Sequence, residues 1–246
     1  MNALGIDIGG SAVKGGPVDT RTGRLLAERL KIETPNKLTP AGMAKAVAQI
    51  AAHFKWRGPI GVGFPGVIHG SFIRTSANLH PRFVGADGVK LFAKATGCRV
   101  ALLNDAAAAG LAEMKFGGGR GFSGKTLVLT LGTGVGSCLV LNGVVFPMEL
   151  GHLPMRGRSA EKRVSSAARK RNDLSWPQWA GRLNEYFAVL ETISRPELIV
   201  IGGGVSAKHE KFFHFLRTQA RLVPAKLGNG AGIIGAALHA VQAGGK

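Results

Sequence analysis

The 246-residue sequence predicts an α/β protein of two similar halves with a cleft between them. Three observations carry that expectation. A strand running into glycines and a small hydroxyl residue occurs twice, at Asp7-Ile8-Gly9-Gly10-Ser11 and at Leu131-Gly132-Thr133-Gly134-Val135-Gly136. Strand-like runs alternate with stretches of helical periodicity in both halves. A glycine-rich segment at 117–124 offers a flexible connection between them.

Residues 3–8 read as the first strand, and 11–18 and 24–33 as two more, with a turn at 20–23, so a three-stranded meander opens the chain. Thr39-Pro40 supplies a hydroxyl cap and a first-turn proline for a helix whose apolar face is Ala44, Val47, Ile50, Ala51 and Phe54. A short buried strand at 60–64 is stopped by Pro65-Gly66. The spacing then predicts a strand at 99–103, an alanine-rich helix at 105–116 and a β-rich run at 126–131. Strands at 137–141 and 144–146 flank Asn142-Gly143, a strong hairpin signal. Helices are expected at 159–170, 175–193 and 231–242, with a buried strand at 198–201 before Gly202-Gly203-Gly204.

Composition narrows the function class. No apolar run approaches the roughly 20 residues needed to span a membrane, and residues 1–5 lack a basic, then apolar, leader. The expectation is a cytoplasmic protein. Two cysteines, Cys98 and Cys138, make neither a disulfide framework nor a four-cysteine zinc site. Lys plus Arg number 32 against 14 Asp plus Glu, a formal charge of +18. Such a field attracts a polyanion: nucleic acid, an anionic membrane surface or a phosphate polymer.

Three clusters carry chemistry. The glycine loops let backbone N–H groups approach an anion, and Ser11 or Thr133 adds a donor, although neither loop has the Walker or dinucleotide spacing. Either loop alone reads most simply as a tight turn; two, with a third at 202–204, are harder to dismiss. Asp105, after Leu103-Asn104, stands where a strand ends and a helix begins, as a helix cap or as a general base. Glu149-Leu150-Gly151-His152 places a carboxylate and an imidazole on one turn, suited to gripping vicinal hydroxyls. A solvated turn or half of a metal site is the alternative, and zinc is not expected.

In this order, together with Phe64-Pro65-Gly66, Asn104-Asp105-Ala106 and Gly202-Gly203-Gly204-Val205, these motifs resemble the family of bacterial repressors, open-reading-frame proteins and sugar kinases. Thr75-Ser76-Ala77-Asn78, Leu174-Ser175-Trp176 and Val223-Pro224-Ala225 are similar to its polyphosphate-using subgroup. The resemblance covers nearly the whole chain. It implies a two-domain actin-like, ribonuclease H-like ATPase fold with an interdomain cleft. Residues 1–108 would form the first domain and 109–230 the second, with a helix at 231–246 packing back on the first.

It also implies a hexose kinase phosphorylating the 6-hydroxyl of glucose, with mannose left open. Asp105 would be the base, and Asn78, Asn104, Glu149, His152 and Glu161 would bind sugar together with Asp105. Asp7, Gly9, Gly10, Ser11 and Lys14 would form one phosphate loop and Gly132, Thr133 and Gly134 the other. Asp7 would hold Mg²⁺ through water, and a homodimer is implied. The sequence departs from the subgroup at Ala107, where a second carboxylate is expected, and at His80, where an acidic residue is expected. The wider family's zinc cysteines are missing from 153–165, and no helix-turn-helix precedes Asp7, which speaks against a DNA-binding repressor and for no nucleic-acid partner.

The donor is read from charge. Arg156, Arg158, Lys162, Arg163, Arg169, Lys170 and Arg171 crowd into 156–171 with one acid, Glu161. Most such runs are solvated helix faces. Beside a sugar turn, Lys162, Arg163, Arg169 and Lys170 suit a polyphosphate track, and +18 exceeds what ATP requires. A track on Lys208, Lys211, Arg217 and Arg221 is the other placement. ATP stays open as a second donor because 202–204 could accept an adenosine; an ATP-dependent hexose kinase and a non-catalytic sugar sensor are the rival readings.

Overall fold

A computed structural model describes residues 1–34, 37–76 and 79–244. The chain divides into two compact units, Met1–Ala112 with Gly230–Lys246, and Glu113–Asn229.

In the first unit β1 (Asn2–Ile8) and β2 (Ala12–Asp19) form an antiparallel hairpin. The expected third strand is two, β3 (Arg24–Leu25) and β4 (Leu30–Glu33), both paired with β2. From Leu25 to Leu30 the outer chain advances five residues while its partner on β2 moves three, from Val18 to Gly15. The bulge stands opposite Pro17, whose carbonyl accepts from Leu26 on that side and whose missing N–H cannot continue the ladder. Helix α1 (Pro40–His53) begins at Thr39, whose hydroxyl caps the Gly42 N–H. Strand β5 (Ile60–Phe64) pairs parallel with β1 and is buried throughout. Two short strands, β6 (Ile68–His69) and β7 (Phe72–Ile73), make a separate hairpin. Helix α2 (Gly88–Thr96) precedes β8 (Val100–Asn104), which pairs parallel with β5, and α3 (Asp105–Phe116) follows directly.

The second unit repeats a mixed sheet. Strands β9 (Thr126–Leu131), β10 (Val135–Leu141) and β11 (Val144–Met148) are antiparallel, turned by Asn142 and Gly143 at positive φ. A small hairpin, β12 (Pro154–Met155) with β13 (Arg158–Ser159), leads into α4 (Glu161–Val164) and α5 (Ser166–Arg171). The single helix expected at 159–170 is thus broken. Ser165 is buried in an extended conformation (ψ 156°), and its hydroxyl caps the Ala168 N–H to start α5. Helix α6 (Trp176–Ser194) opens on a reciprocal Ser175–Gln178 capping box. Strands β14 (Leu198–Gly202) and β15 (Arg221–Pro224) run parallel with β9.

Helix α7 (Ala231–Gln242) returns to the first unit. It is apolar nearly all round and accordingly buried. Its backbone lies so close to β1, β5 and α3 that a Cβ at Gly5, Gly61 or Gly235 would collide with main-chain atoms. Each unit has its own apolar cluster, one around Phe64, Phe83 and Phe92, the other around Trp179, Tyr186 and Phe212. No described helix is long and apolar enough to cross a membrane.

Candidate active site

In the first unit the parallel strands β1, β5 and β8 end side by side, as the pairs Asp7–Gly63 and Phe64–Asn104 show. Carboxyl ends of parallel strands are where open α/β sheets bind ligands. Three features collect there. The β1–β2 turn, Gly9 to Ser11, is closed by Gly9 N–H donating to the Ala12 carbonyl at 2.9 Å, with Gly10 and Ser11 exposed. Asp7 faces Lys14 across the hairpin. Burial pushes the Asp7 carboxyl above its ordinary range, only partly opposed by the Lys14 and Arg29 charges. Gly232, in the first turn of α7, makes room for that carboxylate, since a Cβ there would stand 2.9 Å from its Cγ.

The third feature is the β8–α3 junction. Asn104, not Asp105, is the helix cap: its Oδ1 accepts from the Ala107 N–H at 3.0 Å. Its Nδ2 donates to the Gly66 carbonyl at 3.2 Å, tying β8 to the turn after β5. Asp105 is the first residue of α3. Its Oδ1 accepts from the Ala106 N–H at 2.7 Å, and the side chain is part-exposed. Asn78 lies outside the described residues.

In the second unit the loop after β9 is held from both sides. Gly132 N–H donates to the Gly134 carbonyl, and the Gly132 carbonyl accepts from Ala167 at the start of α5, each at 3.0 Å. The Glu161 carboxylate stands against Gly134, where a Cβ would come within 2.6 Å of its Oε2. The turn Glu149–His152 is pinned by Ser137, whose hydroxyl donates to the Met148 carbonyl at 2.7 Å and accepts from the Leu150 N–H at 3.0 Å. Gly151 lies against the Val135 carbonyl, leaving no space for a side chain. Burial raises the Glu149 carboxyl; His152, at 3.6 Å, opposes the rise and Glu161 adds to it. Glu149, His152 and Glu161 thus come together as two carboxylates and an imidazole.

The basic stretch is divided by its partners. Arg156 forms two hydrogen bonds to Glu185 at 3.0 and 3.2 Å, and Arg163 adds a third at 3.0 Å. These contacts hold the Glu185 carboxyl below its ordinary range. Arg171 donates to the Lys162 carbonyl, and the Lys162 side chain is exposed. Arg169 and Lys170 instead line a cavity of about 340 Å³ with Thr133, Trp176, Gly204 and Lys208. Of the alternative track at Lys208, Lys211, Arg217 and Arg221, Lys208 reaches this cavity. The glycine run before it is constrained: Gly203 sits at φ +82° against the Leu131 backbone, a place for no other residue.

Some structural supports were not read from the sequence. Glu113, buried, accepts from the N–H groups of Gly118, Lys226 and Leu227 at 2.8–3.0 Å, gathering three segments of the second unit. Its position in an alanine-rich helix looks like a solvated charge, and only the partners reveal otherwise. Ser137 likewise reads as an ordinary strand residue.

The family model described as the ROK family matches residues 3–163. A polyphosphate glucokinase of Mycobacterium tuberculosis (strain CDC 1551 / Oshkosh) is 41% identical over 242 residues, covering 98% of this chain and 91% of the relative. The solved inorganic polyphosphate/ATP-glucomannokinase from Arthrobacter sp. strain KM superposes with a TM-score of 0.92 at 41% identity, covering 98% of this chain and 99% of that one. A ROK family glucokinase from Streptomyces griseus, solved with glucose and AMPPNP, shares the fold with a TM-score of 0.82 at 22% identity, covering 98% of this chain and 100% of that one. On both the family match and full-length identity, this chain belongs to the ROK family.

Proposed function

We propose that this chain is a polyphosphate-dependent glucokinase, moving the terminal phosphoryl group of inorganic polyphosphate to the 6-hydroxyl of glucose. The observation that carries this reading is the likeness, over nearly the whole chain, to polyphosphate-using kinases. The site geometry supports it. Asp105, at the carboxyl end of β8, takes the proton of the sugar hydroxyl. The oxygen then bonds to the terminal phosphorus, and the chain leaves one phosphate shorter. Asn104, Glu149, His152 and Glu161 hold the sugar hydroxyls, with Asn78 as a further ligand. The backbone N–H groups of 9–11 and 132–134, with Ser11, Thr133 and Lys14, receive phosphate oxygens.

The residues present fit Mg²⁺ at Asp7. Its carboxylate is raised by burial, stands beside the first glycine loop and needs a counter-charge, and Mg²⁺ is commonly held by one carboxylate, water and substrate phosphates. There the ion would neutralise charge on the donor phosphates. Among the basic residues, Arg169 and Lys170 with Lys208 are the strongest members of the donor track, since Arg163 is committed to Glu185. Domain limits at 1–108 and 109–230, a homodimer and a cytoplasmic location complete the reading. Exposed Val189 and Ile193 on α6 offer apolar surface for a second copy, which sedimentation velocity tests.

Purified protein assayed with polyphosphate or ATP against glucose and mannose tests the assignment. Glucose 6-phosphate formed from polyphosphate supports it. Product from ATP alone replaces it with an ATP-dependent hexose kinase, and no product with either donor leaves a sugar sensor.

A further inference from the structure

The cavity of the second unit has one aromatic wall, Trp176, and that wall is covered by two side chains. Phe212 stacks with Trp176, ring centroids 5.8 Å apart and planes 12° from parallel. The Arg169 guanidinium sits over the indole, its Cζ 3.8 Å from the ring centroid. An open indole beside Gly204 would be a platform for a nucleotide base, since every base offers a π-face to an aromatic ring. Here a guanidinium takes that place.

Arg169 differs from Arg156 and Arg163 in having no anionic partner among the described residues. Arg156 and Arg163 are neutralised by Glu185. Among the described residues the Arg169 side chain forms no ion pair, and its buried Nε–H has no acceptor. A half-buried cation without a partner is costly unless an anion arrives. Lys170 and Lys208 share the cavity wall with it, and no acidic residue does.

We propose that Arg169, held flat on Trp176, selects the class of donor: it closes the aromatic wall to a nucleotide base and offers a planar, charged donor set to a phosphate chain. This rests on the polyphosphate reading of the site and names the residue that enforces it. Guanidinium suits both parts, because it stacks on aromatic faces and bonds phosphate in a bidentate manner, whereas an ammonium does neither as well.

Titration calorimetry with a short linear polyphosphate and, separately, with magnesium AMPPNP tests this on the parent protein, Arg169→Ala and Arg169→Lys, each shown to be folded by circular dichroism. The quantity read is the ratio of the two dissociation constants. In Arg169→Ala it shifts toward the nucleotide by about tenfold or more. In Arg169→Lys, which keeps the charge and loses the planar stack, it shifts the same way by about threefold or more. A ratio within about twofold of the parent's in Arg169→Lys overturns the proposal, because charge alone would then explain any alanine result. If polyphosphate binds with this dependence on Arg169 yet yields no glucose phosphate, the kinase assignment fails and the selection stands.

Discussion

Both units end a strand in a glycine-rich loop, β1 at 9–11 and β9 at 132–134, but the groups around the two loops differ. The first loop is bordered by Asp7, with the carboxylate of Asp105 at the end of β8 in the same sheet. The second is bordered by Glu161 on one side and by a cavity carrying Arg169, Lys170 and Lys208 on the other. Net charge does not distinguish them. The first unit holds 15 basic and 6 acidic residues and the second 17 and 8, so each carries a formal +9. The difference lies in which charges are already paired. A count of lysines and arginines finds the polyanion class, and ion pairing decides where the polyanion can bind.

The largest effect expected on this division of labour is at the base. Asp105→Asn lowers turnover by about 10²- to 10⁴-fold while glucose binding, measured by calorimetry, persists. Near-normal turnover in a folded variant would remove the first unit from the chemistry. Next comes the core of the second unit. Trp179 is fully buried and its Nε1 donates to the Val164 carbonyl at 3.0 Å. Trp179→Ala should cost about 3–5 kcal/mol in denaturant unfolding. If the clusters unfold separately, only the transition of the second unit moves.

A smaller effect belongs to Asp7, and its sign is fixed by the raised pKa. The native state holds the proton to higher pH than the unfolded chain, so stability falls as pH rises between the ordinary carboxylate pKa and the raised one. Asp7→Asn should therefore raise Tm at about pH 7, and the gain should shrink as pH falls to about 4, where Asp7 is protonated more readily in the parent. A gain independent of pH would mean that the ionised carboxylate is not what costs stability. Smallest are the surface cations. Arg163→Gln should cost up to about 1 kcal/mol through its Glu185 pair, and exposed Lys162→Gln less than about 0.5 kcal/mol. Equal losses in thermal unfolding would erase the distinction between paired and unpaired members of the basic stretch.

How legible each part was follows from where its determinants lie. Strands at 60–64 and 126–131 and helices at 105–116 and 231–242 match the structure at both ends, because each is bounded by a local stop or a change of periodicity. The candidate site residues could be named because their motifs are contiguous. Helix α2 was missed although its caps are in the sequence: Asp87 accepts from Lys90 and Gly97 takes the left-handed position. It is only nine residues long, so its apolar face has too few turns in which to repeat and announce it. The breaks at Pro17 and Ser165 depend on a partner strand and on a buried cap. Arg163–Glu185 spans 22 residues, and Glu113 reaches 113 and 114 residues ahead, beyond any local pattern.

The donor assignment is tested most directly by salt. Initial rates of glucose 6-phosphate formation, measured at about 50 and about 200 mM KCl with long-chain polyphosphate, give the KM of the donor at each ionic strength. With three phosphates neutralised by the cavity cations, the polyphosphate KM should rise roughly twenty- to forty-fold across that range. The glucose KM, for an uncharged substrate, should change less than about twofold. A polyphosphate KM as flat as that of glucose, or no product from polyphosphate at either salt, would contradict the account.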